Sequence, residues 1–148
     1  MKLLMEHWRQ YLKEDLSITY SLPNFEYEWS EAKRYPSLEE SGKDSWLEKA
    51  NEGTRLEVTQ EMLPEIGNTT ARSLEDAEAN FSNLEKTKQD RFISSFEGGK
   101  IEMPIVIKMD GKYDLLGGNT RYTGLVARGI MPTVWLVDLD SENNKENL

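Results

Sequence analysis

The chain contains no cysteine, which excludes disulfides, thiolate metal sites and thiol catalysis outright. It has a single histidine, His7, so neither a Ser-His-Asp arrangement nor a histidine-rich metal site can form except through that one residue. Long hydrophobic runs are missing as well. The opening Met1-Lys2-Leu3-Leu4-Met5-Glu6-His7 soon turns polar and lacks the apolar stretch of a signal peptide or membrane span, so a cytoplasmic protein with no membrane association is expected. Positive charge is scarce: 18 Lys and Arg face 27 Asp and Glu, a net charge of −9. That balance disfavours duplex DNA, whose non-specific binding is driven by Lys and Arg releasing counterions. It leaves room for a local basic pocket, because net charge does not fix how charge is distributed.

What is present is a foldable but modest core. Hydrophobic residues make up 37% of the chain and charged residues 30%, yet four Trp, six Tyr and four Phe exceed what a disordered chain carries. A length of 148 residues suits one domain with appendages rather than two cores. We divide it into an N-terminal helical and aromatic extension over 1–53, a domain over 54–139, and a disordered acidic tail over 140–148.

Leu3, Leu4, Trp8, Tyr11 and Leu12 recur at the spacing of one face of a short amphipathic helix. Between Ser17 and Trp29 aromatics crowd around Pro23-Asn24, as in an extended, partly packed arm. A helical turn from Trp29 is stopped at Pro36. Ser37 and Glu40 fit a capping box for a helix that continues through Trp46 and Ala50 to Gly53. Arg55 to Val58 reads as a short strand, and Thr59 to Ile66 as a helix-like piece closed by Gly67-Asn68. A polar link follows. Ser82 and Glu85 form a second capping box, opening a helix to Phe96 that Gly98-Gly99 ends.

The last third is the most legible. Ile105-Val106-Ile107 and Tyr113-Asp114-Leu115-Leu116 flank Asp110-Gly111, the signal for a type I′ hairpin. Asn119 then suits the cap of a helix holding Tyr122, Leu125 and Val126, Gly129 ends it, and Pro132 to Val137 gives a last strand. Gly117-Gly118-Asn119-Thr120-Arg121 therefore lies between a strand and a helix start, where free amides, the helix dipole and a guanidinium surround one point suited to an anion. Arg121 can hold two phosphate oxygens at once. The same five residues also suit a plain tight turn with a capped helix and a surface arginine, since short glycine motifs recur without ligands.

Taken together, Met103-Pro104-Ile105-Val106-Ile107, Asp110-Gly111, the run Tyr113 to Arg121, Leu125, Gly129 and Val134-Trp135-Leu136-Val137 resemble ParB/sulfiredoxin-like proteins, including the ParB-like nucleases that many bacteriophages encode. The resemblance covers about a quarter of the chain. It implies an α+β fold, a small mixed sheet with flanking helices, and nucleotide phosphates held by Gly117, Gly118, Asn119, Thr120 and Arg121. ATP or another nucleoside triphosphate with Mg2+ is the implied cofactor, and a host cytoplasm the implied setting if the chain is of phage type. Sulfiredoxin's loop cysteine is replaced here by Asn119, which excludes peroxiredoxin repair. ParB carries a DNA-binding domain downstream, whereas nine residues follow Leu139 here, which disfavours chromosome segregation.

Phosphoryl transfer also needs a carboxylate to hold magnesium or act as base. Glu57, Glu61 and Glu65, spaced at four as one helical face, and Asp114 beside the glycine loop are the candidates; Glu61, Asp114 and Arg121 are taken as the catalytic set. Solvated surface acids are the plainer reading of the carboxylates. Three functions follow: an NTPase or phosphotransferase; a non-enzymatic module that binds or inhibits a host protein through the N-terminal helix and aromatic arm; and a nuclease using Lys86, Lys88, Arg91 and Lys100 as a basic face. Phosphoryl chemistry leads.

Overall fold

A computed structural model of the chain describes residues 18–140. The expected N-terminal helix with His7, and the tail beyond Asp140, lie outside the described residues. Within them the protein is α+β. Strands β2 (Thr54–Glu57), β3 (Ile66–Gly67), β5 (Ile105–Met109), β6 (Lys112–Gly117) and β7 (Thr133–Asp138) form one mixed sheet in the order β2-β7-β5-β6-β3. The central pairs are β5 with β6, antiparallel, and β5 with β7, parallel. A separate parallel pair joins β1 (Thr19–Ser21) to β4 (Lys100–Glu102), so the aromatic arm begins as a strand. Among the described residues no helix is long and apolar enough to cross a membrane.

Alternation along the strands sends side chains to two cores. Val106, Leu115 and Val134 face one side, where they meet Leu63, Ala77 and, from the helix after β6, Tyr122 and Val126. Ile105, Ile107, Leu116 and Val137 face the other, against Ala32, Leu38, Trp46 and Ala50 from three short helices, α1 (Trp29–Ala32), α2 (Pro36–Ser41) and α3 (Lys43–Asn51). The helical part of the 1–53 segment thus covers one face of the sheet that the following segment builds. Trp46 is fully buried, worth roughly 1.5–3 kcal/mol or more in apolar burial. Its indole N–H donates to Phe25 O at 2.8 Å, which fixes the aromatic arm to α3.

The Asp110-Gly111 hairpin forms as expected. Both residues take positive φ, 55° and 75°, as a type I′ turn demands. Their N–H groups donate to the Asp140 carboxylate at 2.7 and 2.9 Å.

Several local expectations are corrected. The capping box at Ser37 does not form, because Pro36 is itself the first helical residue and Tyr35, pushed to extended geometry by that proline, precedes it. Gly42, at φ 92°, then separates α2 from α3. The supposed polar link contains a helix, α4 (Leu74–Ser82), whose start is capped by Ser73 accepting from Asp76 N–H at 3.1 Å. Ser82 closes α4 rather than opening the next helix, and its hydroxyl donates to Ala79 O. The long helix, α5 (Lys86–Glu97), starts after Glu85. Gln60–Glu65 is a 3-10 helix carrying Pro64, and Glu57 sits in β2, so Glu57, Glu61 and Glu65 do not share an α-helical face.

The helix after β6, α6 (Asn119–Ala127), packs across α4 and α5 through Leu125, Phe81, Phe92 and Phe96. Arg128, just past its end, lies 4.9 Å from the ring centres of Phe81 and Phe92 and 5.4 Å from that of Phe96. Burial there lowers its pKa from the usual arginine value.

Candidate phosphate-binding cleft

β6 leads into α6 through Gly117 and Gly118. Gly118, at φ 88° and ψ 28°, occupies the position before the helix that was expected of Asn119. Left-handed backbone favours glycine there. A Cβ on it would lie 2.9 Å from Pro104 Cα and 2.7 Å from Arg121 Nη2, so the chain also needs the missing side chain for space. The first bond of the helix closes from Tyr122 N–H to Gly118 O at 2.9 Å. The N–H groups of Asn119, Thr120 and Arg121 therefore point out of the helix end, where the dipole is positive.

Asn119 ties the loop to its neighbour instead of capping the helix. Its Oδ1 accepts from Thr69 Oγ1 at 3.0 Å, from Thr70 N–H at 3.3 Å and from Thr123 Oγ1 at 3.2 Å. Its amide donates to Thr70 Oγ1 at 3.2 Å. The segment after β3 is thereby fixed against the start of α6. Nearby, Asn68 holds φ 59° and donates to Leu115 O at 2.8 Å.

These elements wall a cleft of about 970 Å3, within the range of small-molecule sites. The glycine loop from Gly117 to Arg121 lines it. Asn68, Thr69, Thr70 and Arg72 from the segment after β3, Lys88, Arg91 and Ser95 of α5, and Tyr27, Glu28, Glu31 and Glu102 line it as well. Lys88 and Arg91, expected as a basic face of the long helix, do reach the cleft; Lys86 and Lys100 are not among its lining residues.

Glu28 is the residue that sequence reasoning missed. It lies in the turn ahead of α1, is only 7% exposed, and sits directly over Gly117, where a Cβ would fall 2.8 Å from its Cδ. Burial raises its pKa above the usual glutamate value; the nearby Arg121 guanidinium pulls the other way, while Glu102 and Glu31 push it further up. Arg121 also faces Glu102 at 3.6 Å, and its buried Nε has no hydrogen-bond partner. No local pattern marks Glu28 or Glu102: both reach the loop only through packing of the aromatic arm and β4.

Of the expected catalytic set, only Arg121 lines the cleft. Glu61 is exposed on the 3-10 helix. Asp114 points its carboxylate at Gly67 across the β6–β3 pair, on the sheet face that also carries Tyr35. The chemistry available is thus an anion cradle of amides and guanidinium with a buried acid beside it. No protein-family model, curated protein or solved structure matches the chain.

Proposed function

We propose that the chain is a small ParB/sulfiredoxin-like protein that binds a nucleoside triphosphate with its phosphates at Gly117–Arg121 and hydrolyses it or transfers a phosphate. The observation that carries this reading is the convergence at one loop of outward-facing α6 amides, the Arg121 guanidinium and the buried carboxylate of Glu28. The resemblance of the Met103–Val137 segment, the loop included, to that superfamily supports the same reading.

Each group has a role in phosphoryl chemistry. The amides and Arg121 hold phosphate oxygens and stabilise charge on the group in flight. Lys88 and Arg91, without an ion-pair partner among the described residues, extend the positive wall for the remaining phosphates. Glu28 replaces Glu61 and Asp114 as the base: a desolvated carboxylate with a raised pKa is better matched to taking a proton from water or an acceptor hydroxyl than an exposed one. Among the described residues no three Asp, Glu or His side chains gather as a metal cage. Glu102, beside Arg121, nonetheless fits Mg2+, which is held by one or two carboxylates plus substrate phosphates and which would supply charge neutralisation when bound.

Calorimetry with ATP, CTP, GTP and ADP in the presence of magnesium tests the reading. Binding should occur in the wild type and be lost in Arg121→Ala, and Glu28→Gln should bind nucleotide while losing phosphate release. Absence of binding to any nucleotide would overturn it.

A further inference from the structure

Tyr27 is 75% exposed, and with Leu22 it is one of two large hydrophobic residues left open among the described residues. It differs from Leu22 in lying at the mouth of the cleft, one residue from Glu28. The turn that presents it is held from several sides. Tyr27 N–H donates to Asn24 Oδ1 at 3.0 Å, and Glu28 N–H to Asn24 O at 3.0 Å. Asn24 N–H donates to Glu102 Oε1 at 3.0 Å, so the turn is anchored on β4 and thence on the residue that faces Arg121. Phe25, two positions earlier, is clamped by Trp46 through its carbonyl and lies 6.0 Å from the Trp135 ring.

A fixed turn that buries Glu28 inward and leaves the next ring outward is the arrangement of a stacking platform. Ordering the backbone in advance removes part of the entropy that a ligand would otherwise lose on binding. An aromatic face in the same cleft as the proposed phosphate site is matched by a ligand that carries a flat π-system beyond its phosphates, and every nucleobase has one.

We infer that Tyr27 is the nucleobase-stacking residue of the cleft, so that the site recognises the nucleoside part of its ligand and not the polyphosphate alone. This rests on the nucleotide reading of the glycine loop, and the test separates the two. ATP and inorganic tripolyphosphate, each with magnesium, are titrated into the wild type, Tyr27→Ala and Tyr27→Phe. The inference expects Tyr27→Ala to weaken ATP by roughly 5- to 150-fold, the range for loss of one aromatic stacking contact, and to leave tripolyphosphate unchanged. Tyr27→Phe, which keeps the ring, should bind ATP as the wild type does. If Tyr27→Ala binds ATP with wild-type affinity, or weakens both ligands equally, the stacking role is overturned while the phosphate site stands. If neither ligand binds the wild type, the phosphate site itself fails and the stacking role with it.

Discussion

Replacing Gly117 by alanine tests the contact on which the candidate site depends. The three atoms nearest to an alanine Cβ there all belong to Glu28: Oε2, Cδ at 2.8 Å and Oε1 at 3.3 Å. Gly117 does not hold positive φ, so its backbone accepts alanine and the cost is that of displacing one carboxylate from a nearly closed position. Overpacking of this kind costs about 1–3 kcal/mol. In a domain of this size each kcal/mol corresponds to roughly 2–4 °C in Tm, so a fall of about 2–12 °C is expected. Trimming the partner should relieve it. Gly117→Ala combined with Glu28→Ala is expected to recover about 1–2 kcal/mol relative to the sum of the single changes, the signature of two residues in contact. Thermal melts of the four proteins measure the cycle, and calorimetry with nucleotide reports whether the cradle survives. Strict additivity of the two changes would show that Glu28 does not occupy the space over Gly117 and would refute the reasoning.

Gly118→Ala should behave differently, because left-handed backbone costs a non-glycine residue about 1–2 kcal/mol and the Cβ meets the backbone of Pro104; a loss of about 2–5 kcal/mol in a denaturant melt, unrelieved by Glu28→Ala, is expected. Glu28 gives a pH dependence whose sign is fixed by its raised pKa. Above the ordinary glutamate value the native state keeps a proton that the unfolded chain has released, so the contribution of Glu28 to stability falls as pH rises from that value through the raised native one. The stability of wild type relative to Glu28→Gln, from denaturant midpoints at a series of pH values, should decline across that window; a constant difference would show that the carboxyl is not desolvated.

Which parts of the site are legible in the sequence follows from how local their causes are. Asp110-Gly111 forces its turn through two adjacent positive φ values, and Gly117-Gly118 opens a helix through one, so both can be read from neighbours alone. The helix α4 also carries a local signal, Ser73 three positions before Asp76 with Leu74, Ala77 and Phe81 on one face, but the polar residues between them mask its period. Glu61 fails for a subtler reason: its spacing from Glu57 and Glu65 is that of an α-helix, while Pro64 and the short segment settle into 3-10 geometry. Glu28 and Glu102 are beyond any local reading. One precedes a four-residue helix and the other ends a three-residue strand, and they meet Arg121 only because β1 pairs with β4 and draws the aromatic arm across the end of β6.

That long-range placement also reconciles a net charge of −9 with a phosphate site. In the cleft Arg72, Lys88, Arg91 and Arg121 gather with Glu28, Glu31 and Glu102, four cations against three acids where the chain as a whole is acidic. Arg72 is partly committed, since its guanidinium donates to Pro64 O. At physiological ionic strength charges further than about 8 Å are largely screened, so a ligand the size of a triphosphate responds to these side chains and hardly to the acidic surface outside. A duplex extends over several such lengths and meets that surface directly, gaining few released counterions in return. Local cations on an acidic body favour short polyanions over long ones, which is the selectivity that the proposed phosphate site requires.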